Sequence, residues 1–287
     1  MTRDYGRIVA VEIGTAGSVS RRLSSRDARG STALQISADV TRTSEGQADQ
    51  ADVRVLNASD ATRAALQQDG AFCRILCGLG AGPENPGGNP AQLLAGRVVP
   101  ASVDGPRKSG GNTLLTWTVT DGGFDLADVT IAQSWRGPVR VSHIIDEVIG
   151  SSGLLRGAVV LGDPAAQFRT GFTAHGRLRD VLDQLAVRVG SRVSIQHGAV
   201  EMWALGAPRP GQGYIVTPES GLVEPPSRLD KRRWSVRSIL LSGLRPGDAL
   251  TVRSDSISGT MVADDVRHSV DSHDGAWETV VAGTVTQ

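Results

Sequence analysis

The stretch that decides the fold comprises GLVEPPSRLD (221–230), WSVRSILLSGLRPGDALTV (234–252), GTMVADDVRHSV (259–270) and SHDGAWETVVAGTV (272–285). Its adjacent prolines, Pro225 and Pro226, fix φ and remove two backbone donors, so we expect the first of these segments to be extended and irregular. The segments after it are apolar runs separated by short polar turns. This order predicts four short strands that form an antiparallel β unit.

Turn signals separate the predicted strands. Pro246 followed by Gly247 is the pair that favours the centre of a type II turn, which predicts a hairpin between the apolar runs on either side. Gly259 after a serine and Gly275 after an aspartate predict two further turns. Each strand would therefore pair with the next one along the chain.

These motifs resemble, in order and spacing, the last domain of phage tail baseplate hub proteins, a family related to the amino-terminal hub part of type VI secretion spike proteins. The resemblance rests on a glycine and proline segment, a Leu-x-Pro-Gly-Asp turn, a small-residue turn, a Val-x-His strand and an Asp-Gly-x-Trp-Glu-Thr segment. In this sequence the family-like residues are Gly221, Pro225, Pro246, Gly247, Gly259, His268, Gly275 and Trp277.

The resemblance implies a structural role. Hub proteins form a trimeric collar with two tube-like barrels per subunit, so that three subunits place six barrels in a ring that can meet a sixfold tail tube. It implies a homotrimer with four partners: the tail tube or distal tail protein, the tail-tip spike protein, and the baseplate and tape-measure proteins. DNA would be only a cargo that passes through the channel. It also implies a place in the virion tail baseplate, assembly in the host cytoplasm, no enzymatic activity, no cofactor and no stable membrane anchor.

Length, composition and charge exclude several classes of protein. The chain has 287 residues, of which 39% are hydrophobic, and a chain of this size buries roughly three-quarters of its unfolded surface. Lys plus Arg and Asp plus Glu both number 30, so no long-range field favours nucleic acid or an anionic membrane. No signal-peptide-like apolar region and no run of 18 apolar residues occurs, which predicts no membrane span.

The two cysteines, Cys73 and Cys77, lie in AFCRILCGL, which has the composition of a strand. Residues four apart in a strand are about 13 Å apart, which is too far for a disulfide. We therefore expect two free thiols in the core.

The first block, residues 1–128, is rich in predicted strands. Alternation of apolar and polar residues in ALQISADVT (33–41) is typical of a strand with one wet face, and ADVRVLN (51–57) repeats the pattern. Ser59 or Asp60 is an expected N-cap for a short helix. About six strands in all predict a first tube-like β-barrel.

The middle block, residues 129–206, has helical periodicity. Pro138 is expected at the first position of one helix, whose apolar stripe includes Ile144 and Val148. A second helix spans residues 178–189 and is followed by a hairpin on which its stripe can pack. With a second β-barrel over residues 207–287, the predicted fold is mainly β, with two tube-like antiparallel β-barrels that flank a small α+β domain.

Few residues in the sequence suggest chemistry. The most tempting set has metal-ligand atoms but lacks any HExxH or paired Cys/His spacing, so we interpret it as a solvated strand end and an acidic turn; it consists of Asp264, Asp265, His268, Asp271, His273 and Asp274. GAGPENPGG (80–88) has prolines where a phosphate loop needs N–H groups and is interpreted as a plain loop. His143 and His175 near helix starts, and His197 on a hairpin turn, are not placed for acid–base work.

Three interpretations remain after this survey. A structural hub is the main one, and within it Arg232, Arg233 and Trp234 form a possible interface, because arginine and aromatic residues are enriched in protein contacts. The alternative is a tail-tip-associated peptidoglycan hydrolase or metallopeptidase, for which the sequence offers no assembled catalytic set. A third is a carbohydrate-binding module that would use the five tryptophans.

Overall fold

The computed structural model describes residues 6–15, 18–26, 32–44, 48–80, 89–109, 111–121, 129–196, 198–211 and 213–286. Most of the secondary structure is antiparallel β, as expected. The interpretations of His197 and of the glycine-rich loop at 81–88 fall outside these residues. We call residues 6–121 the first unit, 129–206 the middle unit and 207–286 the last unit.

The described residues of the first unit form eight strands, one short α-helix and a 3-10 turn at Pro100–Ser102. They are β1 (Ile8–Thr15), β2 (Ser18–Ser24), β3 (Ile36–Thr43), β4 (Gln50–Leu56), α1 (Asp60–Leu66), β5 (Phe72–Gly78), β6 (Ala91–Val98), β7 (Asp104–Ser109) and β8 (Asn112–Thr120). Alternate residues of β3 and β4 are buried, as the sequence pattern predicts. Ser59 is the N-cap of α1, and its Oγ accepts from the backbone N–H of Thr62. Cys73 and Cys77 are buried free thiols on β5, and burial raises the pKa of each to about 12.

The middle unit is a small α+β layer. It contains β9 (Thr130–Arg136), β10 (Val139–Arg140), α2 (Val141–Ser152), β11 (Leu155–Val159), β12 (Gln167–Phe168), β13 (Gly171–Arg177), α3 (Leu178–Arg188), β14 (Ser191–Gln196) and β15 (Ala199–Ala204). Both helices bury the predicted stripes in a common core, and α3 packs on β14. Pro138 does not lie at the first helical position, because Val139 and Arg140 pair with β12 as a short strand before α2 begins.

The last unit is a β unit with its own core. Its strands are β16 (Tyr214–Val216), β17 (Ser227–Arg228), β18 (Arg233–Ile239), β19 (Ala249–Arg253), β20 (Ser258–Asp271) and β21 (Trp277–Val285). The core gathers mainly aliphatic side chains with Trp234. Four of these strands correspond to the four that the sequence predicts.

The order in which these strands pair differs from the prediction. β18 pairs with β21, and β19 pairs with β20 and with β16, so no hairpin joins β18 to β19 across Pro246. The predicted turn at Gly259 is also wrong, because Gly259 lies within β20 opposite Val252 and the chain reverses just before it. That reversal is held by Ser254, whose backbone N–H donates to the carbonyl of Ile257 at 3.1 Å.

One continuous sheet joins the first and last units. Its strand order is β17-β18-β21-β20-β3-β4-β8-β6-β5-β1-β2, and β16, β19 and β7 pair beside this path. The seam is the antiparallel pair of β20 and β3, in which His268 lies opposite Val40. Within the described residues no strand pair closes either β unit into a barrel.

β20 is the strand that makes this seam possible. Along one edge it pairs with β21, and along the other it pairs first with β19 and then with β3. Its pairing with β21 shifts register between Ala263 and Asp265, at the place where the other edge changes partner. An irregularity of this kind bends a strand and increases its twist, which suits a strand that leaves one neighbour for another.

Candidate assembly site at the junction of the three units

The Arg245–Asp248 turn lies where the middle and last units meet. The backbone N–H of Asp248 donates to the carbonyl of Arg245 at 3.1 Å, and Gly247 has φ +90°. These features make it the type II turn that the Pro246-Gly247 pair predicts. Pro246 and Gly247 are both buried, so the turn is an internal contact rather than a surface loop.

The middle unit packs directly on this turn. A Cβ on Gly247 would lie 2.7 Å from Trp203 Cζ2, so only glycine fits against the indole ring. The side-chain amide of Gln196 is 3.5 Å from the carbonyl of Pro246, and the backbone N–H of Arg209 donates to the carbonyl of Gly247 at 2.6 Å. The turn is therefore enclosed by groups from β14, β15 and the segment that follows β15.

Arg209 adds a buried ion-pair network. Its Nη1 donates to Glu201 Oε2 at 2.8 Å and its Nη2 donates to Asp248 Oδ1 at 2.7 Å. The side chains of Arg209 and Glu201 are each 12% exposed and that of Asp248 is 2% exposed. Burial raises the pKa of Asp248, and the hydrogen bonds from Arg209 oppose this shift. The network links the middle and last units through charges that would be costly to leave unpaired.

His268 is a fully buried hydrogen-bonding residue in the last unit. Its Nε2 is 3.2 Å from the carbonyl of Leu244 and its Nδ1 is 2.9 Å from Thr279 Oγ1. A carbonyl only accepts, so Nε2 carries the proton and Nδ1 accepts from the hydroxyl of Thr279. That hydroxyl in turn accepts from the backbone N–H of Leu241 at 2.8 Å. His268 thus joins β20 and β21 to the segment before the turn.

The imidazole of His268 stays neutral in the folded protein. Burial lowers its pKa to about 3, and the positive charge of Arg42 acts in the same direction. A permanently neutral imidazole with both nitrogens engaged cannot take up and release protons near neutral pH. Its role in this structure is to hold the strands together.

Arg42 and Asp49 form a buried charge pair beside the seam. Arg42 Nε is 3.7 Å from Asp49 Oδ2, and the two side chains are 1% and 3% exposed. Burial raises the pKa of Asp49 to about 7, although the charge of Arg42 lowers it, and burial lowers the pKa of Arg42. Arg42 Nε and Nη2 have no hydrogen-bond partner among the described residues. The pair therefore adds little net stability to the seam.

Arg7 ties the start of the first unit to a turn of the last unit. Its Nη1 donates to the carbonyls of His273 and Gly275 at 3.1 and 2.9 Å. The guanidinium also lies 5.3 Å from the ring centroid of Trp277, within the range of a cation–π contact. A Cβ on Gly275 would lie 2.6 Å from Asp271 Cβ, so glycine allows the close turn that presents these carbonyls.

The remaining family-like residues have structural positions in the last unit. Gly259 faces Trp234, whose ring a Cβ would approach to 2.9 Å, and Trp234 is buried with 7% exposure. Gly221 has φ +115° and lies against Ile239. Pro225 is exposed. The predicted motif therefore consists mostly of residues that let chain segments pack closely.

The possible interface residues divide between the core and a cleft. Trp234 is buried, and Arg233 pairs with Asp265 at 3.1 Å. Arg232 is exposed and lines a cleft of about 250 Å³ between the middle and last units. Arg192 lies in the same cleft and pairs with Asp264 at 2.8 Å. Of the three residues, only Arg232 is exposed.

The set of possible metal ligands does not come together. Asp264 accepts from Arg192 and from Thr284 Oγ1, while His268 is enclosed by Leu244 and Thr279. His273 Nδ1 lies beside Ser272 Oγ at 3.0 Å. Within the described part of the chain, no group of three or more His, Cys, Asp and Glu side chains is arranged to hold a metal ion.

No sequence pattern marks the arginines that join the units. Arg7, Arg42, Arg192 and Arg209 sit in unremarkable segments, and each gains its partners from a distant part of the chain. An arginine is read from sequence as an exposed side chain unless its partners are known. Only the three-dimensional pairing identifies these four.

No family model matches the sequence, and no curated protein matches it. Among the helices described, none has the length and apolarity needed to cross a membrane.

Three solved structures have the same fold as this chain over most of its length. A tail protein from Neisseria meningitidis MC58 has a TM-score of 0.65 at 12% identity, with 98% of this chain and 97% of that chain covered. The 43 kDa tail protein of prophage MuSo2 from Shewanella oneidensis has a TM-score of 0.63 at 11% identity, covering 97% and 99%. An E. coli component of the type VI secretion system, structurally similar to bacteriophage T4 tail proteins, has a TM-score of 0.58 at 11% identity, covering 88% and 74%.

The two tail proteins are covered over 97% and 99% of their own lengths, so the similarity is not confined to one unit. The resemblance found in the sequence is thereby confirmed at the level of structure. This chain has the fold of phage tail proteins, which a type VI secretion component shares.

Proposed function

We propose that this chain is a structural subunit of the tail of a phage or a tail-like particle. The observation that carries the proposal is the full-length similarity to tail proteins, which includes the first unit, the middle unit and the last unit together. The tight junction of the three units supports it, because a load-bearing ring subunit needs units that do not move apart.

Within this role, we infer a baseplate hub: a trimer that forms a pseudo-sixfold ring between the tail tube and the tail tip. The first and last units would be the two tube-like domains, with boundaries near residues 128 and 206, and the three separate cores support that division. The partners would be the tail tube or distal tail protein, the tip spike, and the baseplate and tape-measure proteins. DNA would pass through as cargo.

The test is the assembly state with and without neighbours. We expect light scattering and negative-stain microscopy to show a threefold ring for the chain mixed with the tail tube and tip proteins encoded beside it. A monomer that binds neither protein at high concentration contradicts the hub. Recovery of the chain in purified tails without a ring at the tip would keep the tail role and reject the hub.

In the part of the chain that the structure describes, no arrangement of side chains favours the alternative of a tail-tip hydrolase. Zymography on peptidoglycan is the direct measurement, and we expect no clearing. A cleared zone that disappears in His268→Ala, in a variant shown to be folded, would place catalysis at a residue to which we assign a purely structural role.

A further inference from the structure

A surface cleft lies between the middle unit and the last unit. Its volume is about 250 Å³, and it is lined both by Arg192 of β14 and by Arg232 of the segment between β17 and β18. Val262 and Val285 add apolar surface to it, and Asp264 is the one acidic residue among the described residues that line it. Two guanidinium groups, one carboxylate and an apolar wall therefore share a single concave surface.

Arg192 is held at this cleft by one of its terminal nitrogens. Its Nη1 donates to Asp264 Oδ1 at 2.8 Å and to Ser44 Oγ at 3.3 Å. Nε and Nη2 have no partner among the described residues, and the side chain is 40% exposed. These two nitrogens form one edge of the planar guanidinium, and such an edge can bind both oxygens of a carboxylate. The free edge of Arg192 is thus fixed in place before any ligand arrives.

Arg232 combines a fixed backbone with a free side chain. Its backbone N–H donates to Asp230 Oδ1 at 2.7 Å, and its carbonyl accepts from the backbone N–H of Val285 at 2.7 Å. Its side chain is exposed and has no carboxylate partner among the described residues, whereas that of Arg233 pairs with Asp265. The turn therefore anchors Arg232 at the cleft and leaves its charge uncompensated.

The carboxylate of Asp264 is already engaged through both oxygens. Oδ1 accepts from Arg192, and Oδ2 accepts from Thr284 Oγ1 at 2.6 Å. Asp264 neutralises one of the two guanidinium groups, so the cleft retains one net positive charge. A single carboxylate would balance that charge, whereas a phosphate group, with close to two negative charges at neutral pH, would leave an excess of negative charge near Asp264.

We propose that this cleft is a socket for one acidic side chain, a glutamate or an aspartate, which another protein inserts between the middle and last units. The carboxylate would meet the free edge of Arg192 and the guanidinium of Arg232, and the methylene groups behind it would pack on Val262 and Val285. The small volume supports a single side chain, because pockets for drug-sized ligands and cofactors measure about 300–1,000 Å³. Since both arginines reach the surface, the side chain can enter without any opening of the units.

The socket goes beyond the proposed tail role and does not depend on it. Whether or not three copies form a ring, the isolated chain contains the same cleft. A binding measurement on the isolated chain therefore tests the socket separately from the hub.

The experiment follows the Nε–H resonances of Arg192 and Arg232 in proton–nitrogen correlation spectra of the full chain, assigned by their loss in Arg192→Gln and Arg232→Gln. The titrant is a pentapeptide with blocked ends and one central glutamate flanked by serines. We expect saturable shifts of both resonances. We also expect binding to weaken about tenfold in Arg232→Gln, which removes one charge-assisted hydrogen bond.

Arg228→Gln is the matched control. It removes the same charge from an exposed residue of β17 that is not among those lining the cleft, and we expect it to change binding by no more than about twofold. Circular dichroism verifies the folding of each variant. If Arg192→Gln unfolds, Arg192→Lys replaces it for the assignment, because lysine keeps a positive charge beside Asp264 and has no Nε–H resonance of this kind.

Five outcomes would overturn the proposal. The first is the absence of a shift in either resonance. The second is equal binding of the peptide with glutamine in place of glutamate, and the third is an equal loss of affinity in Arg228→Gln. The fourth is tighter binding of free glutarate or inorganic phosphate than of the peptide, which would mark a site for a small anion. The fifth is self-association that Arg232→Gln abolishes, which would place the acidic side chain on a second copy of this chain.

Discussion

Two separate constraints exclude a side chain at Gly247. Its φ of +90° disfavours any side chain, and the ring of Trp203 occupies the space that a Cβ would need. The residue thus couples the shape of the turn to the packing of the middle unit on the last unit.

We expect Gly247→Ala to lower the free energy of unfolding by about 2–4 kcal/mol, the sum of backbone strain and overpacking. Gly206→Ala is the control, because Gly206 also has positive φ, at +76°, but a Cβ there meets nothing within 4 Å. That variant should lose only about 1–2 kcal/mol. Urea denaturation measures both, and equal losses would mean that the contact with Trp203 contributes nothing.

His268 predicts a specific dependence of stability on pH. Its pKa is about 3 in the folded chain and 6.5 as a model value, so the unfolded chain binds the proton first as pH falls. The stability from a neutral His268 is fully present above pH 6.5 and is lost between pH 6.5 and 3, at about 1.4 kcal/mol for each pH unit. We expect His268→Gln to remove this slope in unfolding measured from pH 7 to pH 4, with His175→Gln at an exposed position as control. An unchanged slope in His268→Gln would contradict the assignment.

Asp49 makes stability change with pH in the direction opposite to His268, so the two effects must be measured separately. Its pKa rises from 3.8 to about 7 on folding, so its contribution to stability is greatest at low pH and is lost as pH rises from 3.8 to 7. When the pH rises from 5 to 8, we expect Asp49→Asn to lose less of its free energy of unfolding than wild type loses. Denaturant titrations at these two pH values provide the measurement, and an equal loss in both proteins would show that Asp49 is ionised in the folded chain throughout.

At the scale of elements, the Arg209 network decides how firmly the middle unit is attached. Loss of one partner from a buried ion pair leaves the other charge uncompensated. We expect Arg209→Ala to cost about 3 kcal/mol in the free energy of unfolding. Arg54→Ala is the comparison, because Arg54 pairs with Asp39 at 2.9 Å while 47% exposed, and we expect it to cost less than about 1 kcal/mol. Similar costs would show that the Arg209 network is no stronger than a surface pair.

The elements that could be predicted from sequence are those whose signal is local. The stripe of α3, the Ser59 cap of α1 and the alternation in β3 depend on neighbours within a few residues, and all three are confirmed. The type II turn at Gly247 is also local and is confirmed. Short pieces such as β10 and β12, two residues each, carry too little pattern to be seen.

Strand pairing and the composition of the site could not be predicted in the same way. The sequence suggests that β18 and β19 form a hairpin because they are consecutive, but each finds a better-matched edge elsewhere. The sequence favours a solvated strand end around His268, but this residue is fully buried, and nothing local indicates that the edge of β20 would meet β3. Register of this kind is set by which apolar faces can be buried together, and that depends on the whole chain.

At the scale of the whole molecule, the shared sheet couples the first and last units. Three independent domains would unfold separately, whereas units joined by seven cross-strand residue pairs between β3 and β20 share a large part of their stability. Val270 and Trp277 of the last unit also pack on the core of the first.

We expect thermal unfolding to show the first and last units melting in one transition. Calorimetry and the fluorescence of tryptophans from both units, Trp117 and Trp234, provide the measurement. We also expect residues 207–287 expressed alone not to fold, because β20 would lose the strand that covers half of one edge. Two well-separated transitions for the two tryptophans, or a folded fragment, would contradict the coupling.

The position of β20 along the chain also has a consequence for biosynthesis. β3 emerges from the ribosome more than two hundred residues before its partner in β20, and at about 5–20 residues per second that interval is on the order of ten seconds or longer. During this interval, the nascent protein exposes an unpaired edge of β3 that can pair with another polypeptide. Truncated chains that lack β20 should therefore aggregate. A chaperone that covers β3 during translation would raise the yield of folded protein.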